Sequence, residues 1–294
     1  MKTMLRVHNL TYAYEKGHSP VLKNLNLLIG EGEYIAIIGP NGCGKTTLIR
    51  HFNALLLPTA GEVQVEEFST SDTKRLLEIR RRVGMAFQNA DNQIVGMSVE
   101  EDVAFGPGNL GLPSAEVRRR VDRALAIVGL TELRTRQPYT LSGGQKQLLA
   151  LAGLLAMEPK LIVLDEPTAS LDPESKKKVL TLLQTLNSQG LGIIHVTHNM
   201  EEAALADRVL VMDKGELVAD GRPVDILNRV KWLKSLGLAP PTITELMWKL
   251  QQWGADMSTS VITIDAAFKE ITSLLERLEN SSQAFIPRKV DGNV

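Results

Sequence analysis

The sequence predicts an α/β fold built on a parallel sheet, and three observations predict it. A short β-rich apolar run, Tyr34–Ile38, ends in a glycine-rich turn and gives way to a helical pattern. Two further apolar runs, Leu161–Leu164 and Leu191–Val196, repeat the strand signature. The helical stretches Pro173–Asn187 and Met200–Ala206 alternate with them, and such alternation lays helices on the faces of a parallel sheet.

Taken in order, Val21–Ile29 interleaves apolar and polar residues as a strand does and leads into Gly30-Glu31-Gly32-Glu33. From Lys45 to about Leu57 apolar residues recur at helical spacing, and Pro58 closes the segment. Val99–Met157 is mostly helical in pattern, most clearly at Ala115–Val128 and Gly144–Met157. It reads as a helical subdomain, about 90–158, inserted into a sheet domain of residues 1–230. Residues 231–294 read as a small helical extension. There Ile243, Leu246, Met247, Leu250 and Trp253 share one face, and Phe268, Ile271, Leu275 and Leu278 form a second stripe. The end from about 283 is expected to be loose.

The 294 residues are 44% hydrophobic and 23% charged, ordinary for a globular chain with a sizeable core. A net charge of −1 supplies no general attraction to nucleic acid or to an anionic membrane. The basic runs Arg80–Arg82, Arg118–Arg120 and Lys176–Lys178 point in several directions on a helix and read as solvated surface. The single cysteine, Cys43, excludes an internal disulfide. No apolar run approaches the roughly 20 residues of a spanning helix, so any membrane role is expected to come through a partner.

Gly39-Pro-Asn41-Gly42-Cys43-Gly44-Lys45-Thr46, followed by Thr47, has the pattern of a phosphate-binding loop between a strand and a helix. Glycines let successive backbone N–H groups turn onto phosphate oxygens, and the helix adds the positive end of its dipole. Lys45 suits the β- and γ-phosphates, and the Thr46 hydroxyl suits Mg²⁺. Cys43 reads as a small filler in this loop. At Leu164-Asp165-Glu166-Pro167 a strand ends in two acids, where a parallel sheet places its active site. Asp165 is then placed for Mg²⁺, and Glu166 for orienting or deprotonating water. Leu141-Ser142-Gly143-Gly144-Gln145 opens a helix with a good cap and two glycines that bare backbone amides.

In this order the three motifs resemble those of the ATP-binding-cassette (ABC) ATPases over residues 1–228. The resemblance implies a P-loop ABC ATPase: a parallel-sheet core, an antiparallel β portion and the inserted helical subdomain. It implies ATP and Mg²⁺ as cofactors, and a head-to-tail dimer in which Ser142, Gly143, Gly144 and Gln145 of one subunit close over nucleotide held by the other. Tyr14 matches the aromatic that stacks on adenine, with Tyr12 second to it. Gln88 matches the glutamine that reaches Mg²⁺ and the attacking water, and His198 the histidine that contacts the γ-phosphate. Ser170-Leu171-Asp172 matches the loop that touches the opposite subunit. His195, three residues before His198, reads as local packing, and His8, His18 and His51 carry no pattern.

The segment Phe87-Gln88-Asn89-Ala90-Asp91-Asn92-Gln93, with Val99–Gly106, resembles ATPases of energy-coupling factor (ECF) transporters, prokaryotic importers of vitamins and metal ions. It is most like the first of their two paralogous ATPases, although Ala90 stands where that family usually has proline. The resemblance implies a place on the cytoplasmic face of the membrane. It implies as partners a paralogous ATPase (a heterodimer ahead of a homodimer), a transmembrane coupling protein and small substrate-binding membrane subunits. The groove around Gln88–Phe105 would receive helices of the coupling protein, where Asp91, Glu100, Glu101 and Asp102 could meet its basic side chains, the alternative being that these acids are only solvated surface. Two rival readings are an importer ATPase served by an external binding protein, and a soluble ABC ATPase acting on nucleic acid. The second generally carries two cassettes or a long coiled coil, which this chain does not.

Overall fold

The computed structural model describes residues 2–15, 18–258 and 260–281, with side chains to Arg277. Its strands in chain order are β1 (Thr3–Tyr12), β2 (Leu22–Gly30), β3 (Tyr34–Ile38), β4 (Ala60–Val65), β5 (Phe68–Ser69), β6 (Val83–Ala86), β7 (Leu161–Asp165), β8 (Gly192–Val196), β9 (Arg208–Asp213) and β10 (Glu216–Gly221). They form an antiparallel sheet of order β2-β1-β4-β5 and a second sheet of order β10-β9-β3-β8-β7-β6. In the second sheet β9, β3, β8, β7 and β6 run parallel, and β10 joins β9 antiparallel at the edge. Because β8 lies between β3 and β7, the loops leaving the carboxyl ends of all three share one edge of the sheet.

Each central strand is buried on both faces, which is why it reads as an unbroken apolar run. Ile35 and Ile37 of β3, with Leu161 and Val163 of β7, face a core shared with the antiparallel sheet. Tyr34, Ala36 and Ile38, with Ile162 and Leu164, face the other core.

The helices are α1 (Lys45–Phe52), α2 (Leu76–Arg82), α3 (Val99–Asn109), α4 (Ser114–Val128), α5 (Gly143–Ala156), α6 (Pro173–Ser188), α7 (Met200–Ala203), α8 (Pro223–Leu227), α9 (Val230–Ser235), α10 (Thr242–Gln252) and α11 (Ile264–Ser281). The helix after the glycine-rich loop ends at Phe52 rather than near Leu57. Ala54 adopts φ +56°, and the amides of Leu55 and Leu56 turn back to the Arg50 carbonyl. The helical stretch expected over Met200–Ala206 stops at Ala203.

Leu233 and Leu238 still pack into the main core, and a separate small cluster forms from Met247, Ala255, Met257, Val261 and Ala267. On α10, Met247 is buried while Leu246 stays exposed, as does Trp253 just past the end of the helix. On α11 the packed face is Ala267, Ile271 and Leu274, and Phe268 and Leu275 point outward. The packed face thus keeps the expected Ile271 but takes Ala267 and Leu274 in place of Phe268 and Leu275, small Ala267 letting the helix approach its neighbour more closely than Phe268 would. The Leu278 side chain and the tail from 283 lie outside the described residues.

Candidate active site

The loop between β3 and α1 is shaped by backbone close approach. Gly39 lies against the Met212 carbonyl at the end of β9, where a Cβ would collide, and Gly44, which precedes α1, has φ +106°. Asn41 and Gly42 are exposed at the crest, while Cys43 beneath them is 4% exposed. Burial pushes the Cys43 thiol up, against the pull of the neighbouring Lys45 charge. Lys45 is itself buried, and its ammonium donates to the carbonyls of Gly39 at 2.7 Å and Pro40 at 3.0 Å. The first hydroxyl of α1, Thr46 Oγ1, donates at 2.8 Å to Asp165 Oδ2 at the end of β7. Burial holds the Asp165 carboxyl above its usual range, the Thr46 hydrogen bond pulls it back, and the Glu166 charge raises it further. Hydroxyl and carboxylate oxygens converging beside this glycine-rich loop are the donor chemistry that Mg²⁺ takes.

Glu166 follows with φ +50°, a left-handed conformation in a non-glycine residue, and its amide donates to the Val196 carbonyl at 2.9 Å. Its Oε2 accepts from Gln88 Nε2 at 3.1 Å and lies 3.3 Å from His198 Nδ1. Residues from the ends of β6, β7 and β8 therefore meet on one carboxylate oxygen. Tyr14, 56% exposed, is held by a 3.0 Å hydrogen bond between its hydroxyl and Thr47 Oγ1. Tyr12 stands behind it edge-on, with ring centroids 5.1 Å apart, so Tyr14 presents the open ring face.

Ser142 caps α5 through a reciprocal box: its hydroxyl accepts the Gln145 amide at 3.3 Å, and Gln145 Oε1 accepts the Ser142 amide at 2.9 Å. Ser142 and Gly143 are exposed. Gly144 is pressed against the Ser175 side chain of α6, where a Cβ would collide. Asp172 caps α6, accepting the amides of Glu174 and Ser175 at 3.0 Å each.

Residues 22–169 match the family model described as ABC transporter. A cobalt import ATP-binding protein, CbiO of Syntrophus aciditrophicus, is 50% identical over 92% of this chain and 96% of its own. The chain belongs to the ABC transporter family. An energy-coupling factor transporter ATP-binding protein, EcfA1 of Caldanaerobacter subterraneus, is 49% identical over 90% of this chain and 97% of its own. Among solved structures, cbiO1 of Clostridium perfringens, described as part of the ABC transporter complex cbiONQ, superposes with a TM-score of 0.74. It is 37% identical and covers 84% of this chain and all of its own, 100%.

This ABC ATPase also contains arrangements that sequence reasoning passed over. Gln93 braces the loop on both sides of Gln88: its Oε1 accepts the Phe87 amide at 3.1 Å, and its Nε2 donates to the carbonyls of Phe87 at 3.0 Å and Asn89 at 3.2 Å. Arg50 of α1 lies over the Phe87 ring, 5.7 Å from its centroid. Lys146, four residues past the α5 cap, pairs with Asp91 at 2.6 Å. His195 is fully buried beside a second buried acid, Glu202. Burial opposes ionisation of Glu202, but His195, Lys176 and Thr168 outweigh it and hold its carboxyl at about 2. A glutamine five residues beyond Gln88, and an acid four beyond His198, were the available signals, but each needs a folded loop to acquire meaning.

The four acids expected to face a partner are engaged within the chain. Asp91 pairs with Lys146 and Glu100 with Arg134 at 2.9 Å, while Glu101 accepts the Met97 amide. Asp102 is buried and takes the amides of Val95 and Gly96. Exposed apolar side chains also occur in this part of the chain, at Val95, Met97, Phe105 and Tyr139. The basic runs are likewise less solvated than their spacing suggests. Arg82 pairs with Glu66, Arg120 with Glu158 and Lys176 with Glu202.

Proposed function

We propose that this ABC ATPase is the ATP-hydrolysing subunit that energises an ECF-type importer of vitamins or metal ions. The observation that carries the hydrolytic part is the convergence of Gln88 and His198 on Oε2 of Glu166, one residue past Asp165. Names of relatives support the rest, since those half identical to this chain are called cobalt import and energy-coupling factor ATP-binding proteins.

In this reading Tyr14 stacks on adenine, and the amides of Gly39, Asn41, Gly42, Cys43, Gly44, Lys45, Thr46 and Thr47 and the Lys45 ammonium hold the phosphates. Thr46, Asp165 and Gln88 hold Mg²⁺, which when bound neutralises charge on the β- and γ-phosphates. Gln88 and His198 fix Oε2 of Glu166, so that Oε1 is left to take a proton from the attacking water. The exposed Ser142 and Gly143, with Gly144 and Gln145, complete the site of a second subunit. The working form is a head-to-tail dimer, with a paralogous ATPase ahead of a second copy. Two ATP close the dimer, and hydrolysis opens it.

Among the described residues no helix is long and apolar enough to cross a membrane. Attachment to the cytoplasmic face through a transmembrane coupling protein fits the exposed apolar side chains of Val95, Met97, Phe105 and Tyr139, and small membrane subunits would choose the substrate. Residues 1–230, with the helical insert at about 90–158, form the cassette in this reading, and 231–294 its extension.

The testing experiment is gentle solubilisation of membranes from the native cell, capture of the tagged chain and identification of what co-purifies. A second ATPase, one coupling protein and several small membrane subunits are expected. A conventional permease pair would overturn the ECF assignment while leaving the hydrolytic one standing.

A further inference from the structure

Glu202 sits in the four-residue helix α7, is 2% exposed, and touches neither the phosphate-binding loop nor the acids at the end of β7. A carboxylate so buried is stable only when its lone pairs are met. Oε1 accepts the Thr168 hydroxyl at 2.8 Å and pairs with Lys176 at 2.6 Å. Oε2 accepts the Thr197 hydroxyl at 2.8 Å, with His195 Nε2 3.1 Å away but not aligned to donate. The His195 ring is anchored on its other side by the Tyr34 hydroxyl, 3.2 Å from Nδ1, at the start of β3.

The division of partners is informative. Thr168 lies two residues after Glu166, in the loop leaving β7, and Thr197 lies immediately before His198, in the loop leaving β8. One oxygen of Glu202 thus holds each loop, and a cavity of about 110 Å³ separates it from the Glu166–His198 pair that shares its walls. We propose that Glu202 is a positioning residue for hydrolysis: by gripping Thr168 and Thr197 it sets the separation of Glu166 and His198. The inference rests on the hydrolytic reading above and adds to it the element that keeps its geometry. Loosening either arm lets one loop drift from the other while leaving Lys45 and Tyr14 as they are, so chemistry suffers and nucleotide binding does not.

The test uses the chain in its purified native complex, with ATPase kcat and KM measured for Thr168→Val, Thr197→Val, the double variant, the serine counterparts and Glu166→Gln. Each valine variant is expected to lower kcat about ten- to hundredfold, the loss that misplacement of a catalytic group by about 1 Å produces, with KM for ATP within about twofold. The double variant is expected to be no worse than the worse single, since both arms end on one carboxylate. Thr168→Ser and Thr197→Ser keep the hydroxyls and are expected to restore most of the rate. Unchanged kcat in the valine variants beside an inactive Glu166→Gln overturns the positioning role alone. Serine variants as slow as the valines, with melting temperature falling in step, reduce the network to a structural one and overturn it too. Full hydrolysis by Glu166→Gln overturns the hydrolytic reading and this inference together.

Discussion

Thr46 and Asp165, 119 residues apart in sequence, are joined by a 2.8 Å hydrogen bond from the Thr46 hydroxyl to a carboxylate oxygen. The contact fastens the start of α1 to the end of β7 and places a hydroxyl and a carboxylate oxygen side by side. It also partners a carboxylate whose ionised form the surroundings disfavour.

Replacing Asp165 by asparagine is therefore expected to act in opposite directions on stability and function. The buried carboxyl is raised above its ordinary value, so ionised Asp165 opposes folding, increasingly as pH rises through the raised range. Without nucleotide or Mg²⁺, Asp165→Asn should melt higher than the native protein. The same variant should lose Mg²⁺-dependent hydrolysis. Calorimetry that finds it less stable would count against the burial argument.

Gln93 offers a test of the loop beneath Gln88. Gln93→Leu removes three hydrogen bonds to the backbone on either side of that residue. Its kcat should fall about tenfold, with fluorescent ATP-analogue binding unchanged. Equal losses in binding and rate would mean that the brace supports the whole site rather than Gln88.

The Cys43 thiol is buried and pushed up by that burial, so its thiolate is scarce at neutral pH. A bulky maleimide should react with native protein at least tenfold more slowly than with unfolded chain. ATP should slow it further, and the modified protein should no longer bind nucleotide. Full ATP binding after modification verified by mass would contradict the placement of Cys43 inside the phosphate loop.

Acid stability should carry the mark of Glu202. Its carboxyl is held at about 2, below the ordinary value of 4.5, so its contribution is complete above about pH 4.5. That contribution drains away as pH falls from there towards about 2. The gap in melting temperature between native protein and Glu202→Gln should be widest near neutrality and narrow steadily below about pH 4.5. A gap that stays constant to about pH 3 would show that shape rather than charge sets the effect.

Much of this was legible in the sequence, and the boundary of legibility has a physical cause. The phosphate-binding loop, the Asp165-Glu166 pair and the capped start at Ser142 are local patterns, whose glycines, caps and strand ends carry their geometry with them. The central strands could be read because burial on both faces forces an unbroken apolar run. What escaped needs the folded chain. Gln93 acts only once its own loop has closed on it, Glu202 only once the loops leaving β7 and β8 lie together, and the pairings of Asp91 with Lys146 and of Glu100 with Arg134 span 55 and 34 residues. On α11 periodicity located the helix but missed its facing, since Ala267 contributes little to an apolar stripe and much to close packing.

The left-handed backbone at Glu166 bears on how this protein can change over generations. A glycine there would relieve a strain of about 1 kcal/mol and remove the carboxylate in the same step. In a population screened for yield or heat tolerance alone, that substitution is an improvement. On the hydrolytic reading, the position stays as it is only while transport is under selection, and its loss would be an early sign, readable in a lineage, that the machine had been retired.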